Sequence, residues 1–171
     1  MSNIRPYKIQ VSEDRIDRLR RKLELTDLPS GIATSKDSPW ELGPPLDEIS
    51  RLADSWLKIF DWRKAEARLN TMPHFMATVT INGFEPLDVH FLHKKSELPG
   101  AIPLLFLHGW PGNFLEASKI IDGLAEGGGQ GGPTFHVVAP SLVDFGFSSC
   151  SPVSLSSMMM DTAISQEVLI Q

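Results

Sequence analysis

Cysteine is almost missing from this sequence: Cys150 is the only one in 171 residues. No intrachain disulfide can form, which agrees with a reducing compartment. Cys150 itself reads as an incidental small residue in a loop rather than a nucleophile. Long apolar runs are missing too. The longest, Ile102 to Leu107, suits a strand and is far too short to cross a bilayer. The first twenty residues carry Arg5, Lys8, Glu13, Asp14, Arg15, Asp17, Arg18 and Arg20, so no signal-peptide core is found there. The expectation is a soluble, cytoplasmic protein without a membrane anchor. Charge of one sign is scarce as well. The net charge of -5 leaves no basic stripe to neutralise phosphates, which excludes nucleic acid as a partner, and it is too small for a disordered acidic tail.

What is present is ordinary for a globular chain, with 42% hydrophobic and 22% charged residues, enough for a sizeable core. A first helix is expected after Ser12, whose side chain can cap free N–H groups, with Glu13 and Asp14 at the positive end of the dipole. Val11 and Ile16 stand where a hydrophobic staple would close. Ile16, Leu19 and Leu23 share one face, while Arg18, Arg21 and Lys22 form a solvated one. A long polar connection runs from Pro29 and Gly31 to Pro44 and Pro45. A second helix follows over roughly Pro45 to Phe60, with Leu46, Ile49, Leu52, Ala53, Trp56 and Phe60 along one side. Trp56, Phe60 and Trp62 read as core. Trp62 to Leu69 reads as a short third helix stopped at Asn70.

From Phe75 the period changes to two. Thr78 to Ile81 reads as strand, Asn82-Gly83 as a turn, and Leu87 to Leu92 as a second strand. The run Pro103 to Leu107 has the pattern of a strand buried on both faces of a parallel sheet. Asn113 can cap the helix that follows, with Leu115, Ile120, Ile121 and Leu124 as its buried side. Gly127 to Gly132 is a glycine-rich connector without the lysine of a phosphate loop. Phe135 to Ala139 completes a β-loop-α-loop-β order, which predicts a parallel pair with a right-handed crossover. The fold class is α/β.

The sharpest local feature is His108-Gly109-Trp110-Pro111-Gly112, directly after one strand and before a helix. Gly109 is expected to let the chain turn away without a Cβ clash, and Pro111 to fix the next φ. The result is a rigid loop at the carboxyl end of a strand, where open α/β sheets hold ligands. His108 reads as the residue that orients this loop rather than a base. His74, His90 and His93 lack the spacing of a metal site and read as structural or exposed. Asp144 reads as a turn residue.

His108 to Pro111 resembles the HGxP oxyanion loop of α/β-hydrolase epoxide hydrolases. Ile4-Arg5-Pro6-Tyr7, Phe60-Asp61-Trp62-Arg63 and Leu69-Asn70 with Pro73-His74-Phe75 are similar to the leader found ahead of the hydrolase core in the microsomal-type branch. Pro140-Ser141-Leu142 with Phe145 to Ser148 resembles that branch's next sheet loop. The resemblance implies a helical leader over 1–74, the first strands of an α/β-hydrolase core over 75–149, and a divergent tail at 150–171 that is disordered or wrongly assembled. It implies a small-molecule epoxide and water as reactants, conversion to a vicinal diol, and neither metal nor organic cofactor. Detoxification and breakdown of aromatic compounds are the family-level roles, and homo-oligomerisation is left open. One site assignment carries over: Trp110 as donor of a backbone N–H to the oxyanion, with His108, Gly109 and Pro111 supporting the loop.

Departures are as informative. In such enzymes an aspartate attacks the epoxide and forms an ester, tyrosines protonate the opening oxygen, and a histidine activates water. The nucleophile, general base and acid tyrosines are not found in this chain, whose one tyrosine, Tyr7, lies in the leader. Val143-Asp144 replaces an expected Pro-Gly. Asp161, in Met159-Met160-Asp161, is a poor copy of a nucleophile elbow, because that turn tolerates little bulk. The chain is therefore expected to be a truncated, inactive form. A different α/β-hydrolase, an esterase or a haloalkane dehalogenase, ranks second, since HGxP is shared but the leader is not. A non-catalytic module that binds a full-length homologue is the third reading.

Overall fold

Alternating side chains and helical stripes divide this chain as they do its architecture. The computed structural model describes residues 3–31, 40–80, 85–129 and 131–150. Ile9–Leu69 forms one compact unit, and the described residues up to Lys8 and from Asn70 form another.

The first unit is helical. Helix α1 (Glu13–Glu24) starts after Ser12, whose carbonyl accepts from the N–H groups of Arg15 and Ile16. The expected side-chain cap is not made: the Ser12 backbone fills the cap position alone. Helix α2 (Leu46–Lys58) begins after Pro45, and α1 packs on it. Helix α3 (Trp62–Leu69) spans the expected residues, with Asp61 Oδ1 accepting from the Lys64 N–H at 3.2 Å. The buried carboxylate of Glu66 ties the unit together. It accepts from the Val11 N–H at 2.6 Å, from Trp62 Nε1 at 3.2 Å and from Arg63 Nη1 at 2.7 Å, and Arg63 also reaches Glu13. The apolar stripe on α2 is present but is not core. No α2 residue is buried, and Leu52, Trp56 and Phe60 are about half exposed. Periodicity identifies a helix's apolar face; it does not supply what covers it.

The second unit is a five-stranded sheet in the order β1-β2-β3-β5-β4. Its strands are β1 (Arg5–Pro6), β2 (His74–Val79), β3 (Leu87–Lys94), β4 (Ile102–Leu105) and β5 (Phe135–Pro140). The segment expected as leader thus contributes an edge strand, with Arg5 opposite Met76 and Pro6 opposite Phe75. Strands β1, β2 and β3 are antiparallel neighbours, β3 meets β5 antiparallel, and β4 runs parallel to β5. Ala77, Phe91 and Val138 cluster on one face with Phe75 and Leu105. On the other, a 3-10 turn (Phe114–Lys119) and α4 (Ile121–Glu126) bury Phe114, Ala117, Ile121 and Ala125.

Two expectations are corrected. Leu115 and Ile120 are exposed, because the chain forms a 3-10 turn before α4 and its tighter spacing turns Phe114 and Ala117 inward instead. Strand β4 is not buried on both faces. It is an edge strand with Ile102 50% exposed, paired only with β5 among the described residues. Its all-apolar sequence fits a central strand, and here the other side lacks a neighbour. The Asn82-Gly83 turn, Ser154 to Met160 and Asp161 lie outside the described residues. Among the described residues no helix is long and apolar enough to cross a membrane.

Candidate functional site

Strands β4 and β5 are parallel, so the loops that leave their carboxyl ends lie side by side. The loop after β4 is His108 to Asn113; the loop after β5 is Ser141 to Cys150. His108 is buried at 4% exposure and joins them. Its Nε2 accepts from the Leu142 N–H at 3.1 Å, which leaves Nδ1 as the protonated nitrogen, donating to the Gly109 carbonyl at 3.0 Å. The Gly109 carbonyl also accepts from the Gly112 N–H at 2.8 Å, closing a turn around the cis Trp110–Pro111 bond.

That double anchoring has a geometric consequence. The Gly109 carbonyl and the Trp110 N–H belong to one planar trans peptide unit, so they point in opposite directions. With the oxygen held by His108 and Gly112, the Trp110 N–H is aimed away from the turn. Nothing among the described residues accepts from it. The Trp110 indole is 84% exposed, so the described residues build no closed pocket wall around it. Two cavities, of about 320 and 190 Å³, are lined by residues of the helical unit and include no part of this loop.

The glycines divide the work differently from expectation. A Cβ at Gly109 would meet nothing within 4 Å, and its backbone is not left-handed. Gly112 is the constrained position, because a Cβ there would lie 2.8 Å from the Gly109 oxygen and closer still to the Glu116 carboxylate. Asn113 caps the following turn as expected, its Oδ1 accepting from the Leu115 N–H at 2.9 Å. Asp144 is a turn residue: Phe145 N–H donates to Leu142 O at 2.9 Å, and Asp144 has φ 71. That left-handed position suits the glycine which the resemblance led us to expect there. Cys150 is free and exposed.

Beneath the second loop lies a polar cluster that sequence reasoning did not assemble. His74 and His90 are diagonal neighbours on one face of β2 and β3, His74 opposite Leu92 and His90 opposite Met76, and are 4% and 0% exposed. His74 Nδ1 meets His90 Nε2 at 2.9 Å, and His90 Nδ1 meets Ser141 Oγ at 2.8 Å. Phe114 and Phe147 pack edge-on to the His90 ring. Burial, and then the neighbouring His74, push the His90 pKa down to about 3. The sequence reads the two histidines as structural or exposed, and the structure shows both buried; their alternation with Phe75 and Phe91 is the available signal. The exposed end of the same strands is tied by Arg5, whose guanidinium reaches Asp88 Oδ2 at 2.9 Å, while Thr78 donates to Asp88 Oδ1 at 2.6 Å.

This mixed α/β sheet with its strand-end loops matches the N-terminal part of epoxide hydrolase structures of the α/β-hydrolase fold. The chain belongs to the epoxide hydrolase N-terminus family, which it matches over residues 4–117. It is 36% identical to epoxide hydrolase 1 of Sus scrofa over 156 residues, 87% of this chain and 33% of that protein. It is 33% identical to juvenile hormone epoxide hydrolase 1 of Ctenocephalides felis, over 87% of this chain and 31% of that one. The structure superimposes on an enantioselective mutant of the Aspergillus niger epoxide hydrolase with a TM-score of 0.78 and 27% identity, covering 98% of this chain and 43% of that one. The chain thus spans about a third of the length of the curated relatives it matches.

Proposed function

We propose that this chain supplies the oxyanion loop and helical leader of an enzyme that hydrolyses epoxides to vicinal diols. In the complete reaction a carboxylate attacks an epoxide carbon, the C–O bond breaks, and the opened oxygen takes a proton. Water then adds to the ester carbonyl, and the resulting oxyanion needs N–H donors before the diol leaves and the carboxylate returns. The locked Gly109–Trp110 peptide, whose N–H meets no acceptor among the described residues, is the observation that carries this reading. His108, through the Gly109 carbonyl, and Pro111 hold the donor's direction. The substrate is a small-molecule epoxide, with water as co-reactant and no cofactor required.

Among the described residues no carboxylate nucleophile, general base and acid tyrosine come together, so purified protein should convert styrene oxide no faster than buffer. The positive test is a hybrid in which this chain is continued by the carboxyl-terminal part of the Sus scrofa relative. Trp110→Phe there should alter substrate preference and leave ester hydrolysis intact, since the N–H remains. Pro111→Gly should slow hydrolysis and let the covalent ester build up in rapid-quench mass spectrometry. Loss of a whole donor costs about 10²–10³ in kcat, and a loosened one should cost less. Slower alkylation without ester accumulation would sink the oxyanion assignment and leave Trp110 as pocket wall.

A second reading, docking onto a longer homologue, is favoured by the exposed outer edge of β4 and by Leu107 beside it.

A further inference from the structure

We propose that His90 and Ser141 are positioning residues that set the direction of the Trp110 N–H through the tautomer of His108. The proposal rests on the oxyanion reading of Trp110 and assigns the buried imidazole pair a task in it. Other uses of the pair fail on geometry. Ring nitrogens 2.9 Å apart are hydrogen-bonded, whereas a shared zinc ion would hold each at about 2.0–2.1 Å and force them well apart. Ser141 is fully buried, so no substrate reaches it as a nucleophile.

What the cluster does is fix Ser141 at every polar atom. The hydroxyl meets His90 Nδ1 at 2.8 Å, the N–H donates to the His90 carbonyl at 2.8 Å, and the carbonyl accepts from the Ser148 hydroxyl at 2.6 Å. Ser148 Oγ accepts in turn from the His90 N–H at 3.0 Å. Gly146 closes the site from the other side, since a Cβ there would run into Ser141 Oγ. The residue after Ser141 is Leu142, and its N–H is the one that His108 Nε2 accepts. With that nitrogen committed as an acceptor, the His108 proton resides on Nδ1 and bonds the Gly109 carbonyl, whose peptide partner is the Trp110 N–H. Directional bonds hold a loop in one place where apolar packing of the same volume tolerates sliding. The chain from His74 to Trp110 therefore aims a donor without touching substrate.

The test reads ring and amide nitrogens in the full ¹⁵N-labelled chain. His108 should give two well-separated ring resonances, one protonated and one acceptor. Ser141→Ala and His90→Leu should draw them together as both tautomers become populated, and should shift the Trp110 amide. His90→Asn, whose side-chain amide can reach the hydroxyl as Nδ1 does, should restore the separation. Ser149→Ala removes a hydroxyl that accepts from the Asp88 N–H in the same loop, off this path, and should change neither signal. An unaltered His108 tautomer in folded Ser141→Ala overturns the proposal, as does an equal change in Ser149→Ala. Should Ser141→Ala not fold, Ser141→Cys decides: a reduced separation supports the proposal and a wild-type one refutes it. These resonances report loop geometry, so they stand apart from the hybrid's activity, which judges the oxyanion role alone.

Discussion

Held between His74, Ser141 and the edges of two phenylalanine rings, His90 is neutral in the folded protein. Its pKa is lowered to about 3, first by burial and then by His74. In the unfolded chain it takes a proton near its ordinary 6.5. A base whose folded pKa lies below its unfolded one contributes full stability above pH 6.5 and loses it progressively down to about 3. At pH 5 that loss amounts to about 2 kcal/mol. Denaturant midpoints at pH 7.5 and pH 5 should therefore differ, and the difference should shrink markedly in His90→Asn; an equal difference in both proteins would count against a buried neutral imidazole. Single residues were legible in the sequence where the reason was local. Asp144 sits in a turn and Asn113 caps. The exchange of roles between Gly109 and Gly112 was not legible, because the clash that demands glycine involves a carbonyl brought close by the completed turn.

Among the elements, α3 shows how a motif can be seen before its reason is. Phe60-Asp61-Trp62-Arg63 was recognisable as a pattern, yet its cause lies in Glu66, which collects bonds from Val11, Trp62 and Arg63. The Val11 N–H, ahead of the Arg63 and Trp62 side chains, holds the Glu66 carboxyl below its ordinary range. A depressed acid contributes stability above its unfolded pKa and loses it as pH falls through the folded one. Glu66→Gln should lower the far-UV melting temperature at pH 6, and the gap from the wild type should narrow as the pH drops towards the folded pKa. A constant gap would mean that only shape, not charge, was lost. Helix α2 gives the complementary lesson. Its spacing named a face of which only Leu46, Ile49 and Ala53 are partly covered, while Leu52, Trp56 and Phe60 stay about half exposed, because a cover is a property of what else packs nearby.

Across the whole molecule, the parallel pairing of β4 with β5 followed from the strand–helix–strand order of the sequence, whereas the strand order, with Arg5–Pro6 added as an edge strand, did not. The position of β4 did not, since an edge and a centre can carry the same apolar letters. That edge should make the isolated chain associate. Light scattering after size exclusion should show mass rising with concentration, and Ile102→Lys should suppress the rise; a wild-type protein that stays monomeric at every concentration would contradict this. Strand β4 also constrains how anything could join it. Ile102 and Phe106 donate to Thr134 and Val138 on the β5 side, so Pro103, Leu105 and Leu107 alternate outwards. Proline has no N–H to offer. The outer rim of β4 is thus a keyed rail with one tooth missing. An incoming strand finds its donor at Leu105, not at Pro103, and is indexed from the end where the Trp110 loop begins.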